Sequence, residues 1–166
     1  MAFFRTINFS EPLPSVAGDG VVLRTPQMTD YVEWAALREK SRAFLTPWEP
    51  TWPEDDLSRG AFRRRIKRYV EDLRADQGYA FLIIRNSDNA LVGGLTIANV
   101  RRGVAQAGSL GYWMGQPFAR QGYMTAAVRA VVPFAFTTLL LHRLEAACIP
   151  TNAGSIRLLE NTGFVR

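Results

Sequence analysis

A glycine turn between two apolar segments has the chemistry of an anion site. The stretch ARQGYM, residues 119–124, follows the segment AGSLGYWMG and precedes the run TAAVRAVV. A helix that begins at Gly122 leaves several backbone N–H groups without partners, and their partial positive charge attracts anions. Gly122 carries no side chain to block a pyrophosphate, Arg120 adds positive charge and Thr125 adds a hydroxyl group. The turn therefore predicts phosphate binding, and a purely steric need for glycine at this junction is the alternative.

The elements that must position this turn follow the order β α α β β β α β α, as predicted from the spacing of apolar residues. Compact or alternating apolar runs predict strands over residues 21–25, 78–86, 90–101, 107–115 and 142–149. Apolar residues three and four positions apart predict helices over residues 27–45, 54–76, 122–138 and 152–163. Thr29 and Asn152 are N-cap candidates, and Gly163 is a candidate helix stop. Pro133 lies inside the third helix, so we expect a kink there or two shorter helices.

The composition indicates a single domain without a metal centre. The chain has 166 residues, of which 48% are apolar, so we expect one domain over 1–166, with an N-terminal extension at 1–19 and a core at 20–166. No apolar run approaches the roughly 18 residues of a membrane span, and the first residues lack the features of a secretion signal. The single cysteine and single histidine exclude an internal disulfide and argue against a zinc site. We therefore expect a cytoplasmic protein with no metal and no membrane contact.

The chain is basic, with a net charge of +5, which suits an anionic ligand or an acidic partner. Part of the excess comes from RRRIKR, residues 63–68. One interpretation of this run is the solvent-exposed face of a helix, and the other is a contact with RNA or a phosphate. The charge alone does not indicate nucleic acid, and we expect no DNA partner.

Two motifs resemble the signatures of the Gcn5-related N-acetyltransferase (GNAT) family. The segment GYWMGQPFARQGYMTAAV resembles the family's acetyl-CoA motif, Gln/Arg-x-x-Gly-x-Gly/Ala, with its middle glycine at Gly122. The segment IPTNAGSIRLLENTGF resembles the second signature, at Asn152, Ser155, Gly163 and Phe164. The segments RAFLTPWEP and NVRRG are similar to the RimJ/RimL branch, which acetylates the N-termini of ribosomal proteins. The resemblance covers residues 21–164.

The resemblance implies an α/β (α+β) fold whose central mixed sheet is mostly antiparallel and is flanked by helices. Acetyl-CoA would lie where two parallel strands, SLGYWMG and LEAACIP, separate. Its pantetheine arm would pair with backbone groups of Trp113 and Met114, and its pyrophosphate would rest on the turn over residues 120–125. The residues assigned to acetyl-CoA in this way are Trp113, Met114, Arg120, Gln121, Gly122, Tyr123, Met124, Thr125, Asn152 and Ser155.

In the family, an amine attacks the acetyl thioester directly. A backbone N–H near Met114 would polarise the carbonyl group. Glu49 is the candidate for holding or deprotonating the acceptor amine, and a loop carboxylate that caps the next segment is its alternative role. Trp48 would form a wall of the acceptor cleft or pack against the core, and Glu145 is a weaker candidate base. Where many family members carry a glutamate, this chain has Ser109.

The departing CoA thiolate needs a proton or a hydrogen bond. Cys148 is the first candidate donor, because relatives of the RimL type carry a cysteine at the matching position, and a small buried apolar residue is its alternative role. Ser155 is the second candidate donor. Arg157 would reach a CoA phosphate or be solvated, and His142 is expected to be structural.

The chain departs from the family pattern at four places. Ala119 and Met124 occupy the first and last motif positions. Leu159 stands where many members carry a tyrosine that acts as the general acid. The sequence ends at Arg166, whereas the family usually adds two strands after Gly-Phe. We therefore expect these strands to be missing or to be supplied by another copy.

Three functions are compatible with these residues. The first is acetylation of the α-amine of a protein that begins with alanine or serine, such as a ribosomal protein. The second is acetylation of a small amine, for example a polyamine, an amino sugar or an amino acid, because a fold does not determine the acceptor. The third is binding of acetyl-CoA or of the ribosome without catalysis.

Overall fold

The computed structural model describes residues 13–166, so residues 1–12 of the expected N-terminal extension lie outside the described part. Its strands are β1 Ser15–Ala17, β2 Val21–Arg24, β3 Tyr79–Arg85, β4 Leu91–Arg101, β5 Ala107–Met114 and β6 Arg143–Ala146. Its α-helices are α1 Tyr31–Lys40, α2 Arg42–Leu45, α3 Arg59–Arg74, α4 Tyr123–Pro133 and α5 Ala153–Asn161. The sequence did not predict β1, and the other strands lie within the predicted segments.

The strands form one mixed sheet in the order β1-β2-β3-β4-β5-β6. Each neighbouring pair from β1 to β5 is antiparallel. The last pair, β5 and β6, is parallel, and α4 lies between these two strands in the chain. The fold class expected from the resemblance is therefore confirmed.

The helix boundaries follow local hydrogen bonds that the apolar spacing does not reveal. The N-cap of α1 is Asp30 rather than Thr29, because Met28–Asp30 form a separate 3-10 turn. The Asp30 carboxylate holds this turn by accepting from the backbone N–H of Gln27 and, at 2.6 and 2.9 Å, from Arg24. The second predicted helix begins only at Arg59, because Ser58 caps it by accepting from the N–H of Ala61. The helix predicted over 122–138 changes type at Pro133 and continues as a π-helical turn over Phe134–Thr138.

The sheet separates two layers of apolar packing. On one face, α4 contributes Ala127, Val128 and Val131, and side chains of β5, including Leu110 and Tyr112, pack against this layer. On the other face, Trp34 and Leu37 of α1 and Phe62 of α3 pack with Trp113 of β5. Successive residues of a strand point to opposite faces. Residues 110–114 of β5 therefore contribute alternately to the two layers.

Candidate active site

The parallel strands β5 and β6 separate halfway along β5. They pair from Ala107 with Arg143 to Leu110 with Ala146, and β6 ends there, three residues short of the predicted end at residue 149. The strand β5 continues to Met114 with pairing to β4 alone. Within residues 13–166, the β6-facing edge of residues 111–114 therefore has no strand partner. Trp113 and Met114, predicted to bind acetyl-CoA through their backbone, lie on this unpaired segment.

The glycine turn leads directly into α4. Gly122 is the N-cap with a φ of +87°, a left-handed conformation that glycine adopts without steric cost, and Arg120 has a φ of +60°. The side chain of Gln121 donates to the carbonyl of Pro117 over 2.9 Å. The backbone N–H of Ala119 donates to the carbonyl of Gln116, and the next N–H with a backbone partner is that of Ala126, which donates to the carbonyl of Gly122. In the described part of the chain, the N–H groups of residues 123–125 make no hydrogen bond, which fits a bound pyrophosphate.

Three predicted residues come together where the strands separate. Asn152 caps α5, as predicted, because its side chain accepts from the N–H of Ser155 over 3.1 Å. The hydroxyl of Ser155 lies 2.6 Å from the phenol of Tyr112 on β5. Cys148 is half-buried in the segment between β6 and α5. Burial raises the pKa of Tyr112, its hydrogen bond with Ser155 lowers the pKa, and the nearby Cys148 raises it.

Tyr112 is a candidate functional residue that the sequence reasoning missed. The position at which the family resemblance places a tyrosine is occupied by Leu159, which is buried in α5 and is 8% exposed. The period-two alternation within SLGYWMG would have placed Tyr112 and Leu110 on one face of β5. That alternation does not identify Ser155 as the partner, since α5 lies in a distant part of the sequence.

A cavity of about 390 Å³ lies on the opposite face of the sheet, between β5, α1, α3 and the loop that precedes α3. Ala80, Thr96 and Gly111 are register partners on adjacent strands and give it a floor of small side chains. A Cβ atom added to Gly111 would meet no atom within 4 Å. Its walls include aromatic side chains from the helices and the loop: Trp34, Trp52, Phe62 and Tyr69. The cavity and the gap beside β6 therefore border the same segment of β5.

A buried ion pair forms part of the cavity wall. The guanidinium of Arg38, which is 6% exposed, donates to both oxygens of Glu49 over 2.8 Å. The indole N–H of Trp52 donates to one of these oxygens over 2.7 Å. The same guanidinium lies 4.3 Å from the ring centre of Trp52 and 4.9 Å from that of Trp113. Glu49 therefore faces the cavity with both oxygens already bonded.

The remaining candidates lie outside this cavity. Trp48, predicted to form an acceptor wall, is 41% exposed, and Trp52 lines the cavity instead. Glu145 pairs with Arg101 and Arg143 at the surface. His142 and Arg157 are exposed.

The basic run of α3 is mostly exposed, and several of its charges are paired. Arg64 pairs with Asp55 over 2.7 Å, and Lys67 lies 3.9 Å from Glu71. Over residues 13–166 no group of histidine, cysteine and acidic side chains could hold a metal ion. None of the helices described is long and apolar enough to cross a membrane.

The unpaired edge of β5 beside the N-terminus of α4, with its unbonded N–H groups, provides a hydrogen-bonding edge and an anion site in one place. The family model described as an acetyltransferase (GNAT) domain matches residues 21–165. The chain therefore belongs to the GNAT acetyltransferase family. It is therefore an acetyl-CoA-dependent N-acetyltransferase.

Named relatives agree with this assignment. The chain is 36% identical over 147 residues to the probable N-acetyltransferase YjcK of Bacillus subtilis (strain 168), covering 89% of this chain and 81% of that protein. It is 28% identical over 153 residues to the ribosomal protein uS5-alanine N-acetyltransferase of Escherichia coli (strain K12), covering 92% and 79%. Among solved structures, Mycobacterium smegmatis RimJ in complex with CoA-disulfide superposes with a TM-score of 0.84 at 28% identity, covering 94% of this chain and 76% of that chain.

Proposed function

We propose that the enzyme acetylates the N-terminal α-amine of a protein that begins with alanine or serine, such as a ribosomal protein. The cavity on the α1 and α3 face carries this proposal, because Gly111 and Trp113 line it. Both belong to residues 111–114 of β5, which we call the acetyl-CoA segment because we assign the pantetheine arm to its unpaired edge. Its volume of about 390 Å³ lies within the range of small-ligand sites and accommodates the first residues of a peptide. The small side chains of its floor suit a small first residue. The relative that acetylates ribosomal protein uS5 supports the choice of acceptor.

The chemistry proposed for this site is direct transfer. The lone pair of the neutral amine forms the N–C bond to the acetyl carbonyl, and the C–S bond to CoA breaks. An α-amine has a pKa of about 8, so roughly a tenth of it is already neutral at pH 7, and a chain of water molecules can carry the released proton to the solvent. The N–H of Met114 stabilises the developing oxyanion. The departing thiolate receives a proton from Ser155, supported by Tyr112, or from Cys148.

The proposed role of Glu49 is to hold Arg38 and to add negative charge to the cavity wall. Its two oxygens already accept three hydrogen bonds from Arg38 and Trp52, so an arriving amine would compete with these donors for the carboxylate. We therefore assign proton removal to water and amine positioning to the cavity. Trp52 takes the wall position that the sequence suggested for Trp48.

The experiment is a transfer assay with a panel of acceptors. The protein is mixed with acetyl-CoA and peptides that begin with alanine, serine or methionine, and free CoA is followed with a thiol reagent. The same peptides with acetylated N-termini are the matched controls, and spermidine represents small amines. We expect CoA release with the free alanine and serine peptides alone, and mass spectrometry should find the acetyl group on the α-amine. Release with blocked peptides, or with spermidine above every peptide, would reject the proposed acceptor.

A further inference from the structure

The side chain of Arg85, at the end of β3, contacts both sides of the glycine turn. Its guanidinium donates a hydrogen bond to the phenol of Tyr123, the first residue of α4, over 3.2 Å. The guanidinium carbon also lies 5.0 Å from the ring centre of Phe118, before the turn, and 5.6 Å from that of Tyr123. A cation at these distances is attracted to an aromatic ring. One side chain of β3 therefore joins the start of the turn to its end.

Arg85 is itself held in a fixed orientation. Its Nε and Nη2 donate to the two oxygens of Asp88 over 2.9 and 2.7 Å, and its side chain is 23% exposed. A guanidinium paired with a carboxylate through two parallel hydrogen bonds has a defined geometry. Phe118 is half-buried and packs against the apolar layers on both faces of the sheet. Through these contacts, Arg85 connects Tyr123 to the sheet and to its core.

The turn needs outside support because part of its backbone is strained. Arg120 has a φ of +60°, a conformation that is unfavourable for a residue with a side chain. The hydrogen bond from Gln121 to Pro117 lies within the turn and does not connect it to the sheet, whereas the contacts of Arg85 do. The N–H groups of residues 123–125 can bind one pyrophosphate together only when they are held in one arrangement.

We infer that Arg85 is a positioning residue for the pyrophosphate of acetyl-CoA, acting through Tyr123 on the N–H groups of residues 123–125. This inference rests on the assignment of the pyrophosphate to the glycine turn and is independent of the acceptor. Asp88 balances the charge of the guanidinium, so the effect of Arg85 comes from the geometry of the turn rather than from a direct bond to phosphate. Loss of Arg85 should therefore weaken binding of the pyrophosphate and spare the pantetheine arm.

The test measures which part of CoA loses affinity when Arg85 is replaced. The wild type and Arg85→Gln are titrated calorimetrically with three ligands. These are CoA, dephospho-CoA, which keeps the pyrophosphate but lacks the 3′-phosphate, and pantetheine, which lacks both. We expect Arg85→Gln to weaken binding of CoA and of dephospho-CoA by about tenfold each and to change binding of pantetheine by less than about twofold.

Two further variants test the proposed route through Tyr123. Arg85→Lys keeps a cation that can donate to the phenol, so it should recover part of the lost affinity for CoA. Tyr123→Phe keeps the ring and removes the hydrogen-bond acceptor, so it should give a smaller loss with the same pattern across the three ligands.

Arg102→Gln is the matched control. Arg102 also donates two hydrogen bonds to one aspartate, Asp76, both over 2.7 Å, and its other hydrogen bonds are with Gln106 and Leu139, outside the glycine turn. This variant should leave the ratio of CoA affinity to pantetheine affinity unchanged. All ligands are measured on one preparation, so partial unfolding lowers every apparent affinity together and leaves this ratio intact.

Four results would overturn the inference. An equal loss for CoA and pantetheine would show a general structural role, and no loss for either would show that the turn keeps its shape without Arg85. A loss for CoA but not for dephospho-CoA would show that Arg85 serves the 3′-phosphate. A wild type that binds pantetheine as tightly as CoA would mean that the turn contributes nothing. Because no acceptor is present, an incorrect choice of acceptor would leave all of these measurements unchanged.

Discussion

The phenol of Tyr112 lies 2.6 Å from the hydroxyl of Ser155, although the two residues are 43 positions apart in the sequence. Tyr112 comes from β5, where the parallel strands separate, and Ser155 comes from the first turn of α5. The pair lies beside Cys148, which affects the pKa of Tyr112. A short hydrogen bond between two hydroxyl groups lets one of them donate onward. In the proposed mechanism, this pair supports the proton donor for the CoA thiolate.

We expect Tyr112→Phe to lower kcat by roughly tenfold, because Ser155 loses a hydrogen-bond partner. Burial, the largest effect, raises the pKa of Tyr112 above its ordinary value of 10.0. The phenol is protonated at every pH below that value, so the loss should be constant from roughly pH 6 to pH 9. The measurement is the pH profile of kcat for the wild type and the variant.

A double-mutant cycle provides the control for this pair. If the hydroxyl groups act together, Tyr112→Phe and Ser155→Ala should be strongly non-additive, with the double variant about as slow as the slower single variant. Additive losses would mean that the two groups act independently. If kcat of the wild type fell toward alkaline pH while kcat of Tyr112→Phe did not, the phenol would be losing its proton in this range, which would contradict the prediction.

Gly111→Ala should impair transfer without harming the fold. The added Cβ meets no atom within 4 Å, and the residue lines the cavity beside the acetyl-CoA segment. A glycine inside a strand often marks a place where a ligand comes close to the backbone. We expect the melting temperature and CoA affinity to be preserved and kcat/KM for the acceptor to fall by roughly tenfold or more.

Gly60→Ala is the matched control for Gly111→Ala. A Cβ atom added to Gly60 would lie 3.6 Å from the Arg64 side chain, an ordinary contact distance. Gly60 does not line the cavity. This variant should keep full activity. Unchanged acceptor kinetics in Gly111→Ala would mean that the acceptor does not approach β5 at this residue.

The sequence predicted the parts of the fold that depend on local patterns. The strands other than β1 could be predicted because each contains a run of apolar residues or an alternation of apolar and polar residues. β1 has only Ser15, Val16 and Ala17, and three residues are too few to show a period. The glycine turn and the cap at Asn152 were also visible, since both depend on neighbours within a few positions.

The cavity side of the site was much less predictable. Glu49 was identified, but its partner Arg38 lies eleven positions earlier on a different element. Trp48 and Trp52 are equally plausible walls in sequence, and only the path of the loop decides that Trp52 faces the cavity.

Stability at low pH should depend on Asp88, in the turn between β3 and β4. Two hydrogen bonds from Arg85, and then one from the N–H of Ala90, lower the pKa of Asp88 from 3.8 to about 2. A carboxyl group with a lower pKa in the folded state stabilises the fold above its unfolded pKa, and this contribution is lost as the pH falls from about 4 through about 2. We therefore expect Asp88→Asn to lower the free energy of unfolding more at pH 6 than at pH 3, as measured by urea unfolding.

The control is the same substitution in an Arg85→Gln background. Without the guanidinium, the main cause of the lowered pKa is absent, so Asp88→Asn should have nearly the same effect at both pH values. An equal effect in both backgrounds would show that Arg85 does not control this carboxylate.

Glu49→Gln should destabilise the protein more than it slows the chemistry. Arg38 is almost fully buried, and the substitution leaves its charge without a carboxylate. Removing one member of a buried ion pair costs about 3 kcal/mol or more, whereas breaking a surface pair costs about 1 kcal/mol or less. Glu39→Gln is the matched control, because Glu39 pairs with Arg42 in an exposed position. Urea unfolding should give a large loss for Glu49→Gln and a small one for Glu39→Gln.

Transfer kinetics on the folded Glu49→Gln variant decide the role of this carboxylate. Both oxygens of Glu49 are engaged by Arg38 and Trp52, so a positioning role predicts a kcat within roughly tenfold of the wild type and a pH profile of the same shape. A general base would give another result, a fall in kcat of about a hundredfold or more with the acid limb of the profile removed. That result would show that Glu49, and not water, removes the proton from the acceptor amine.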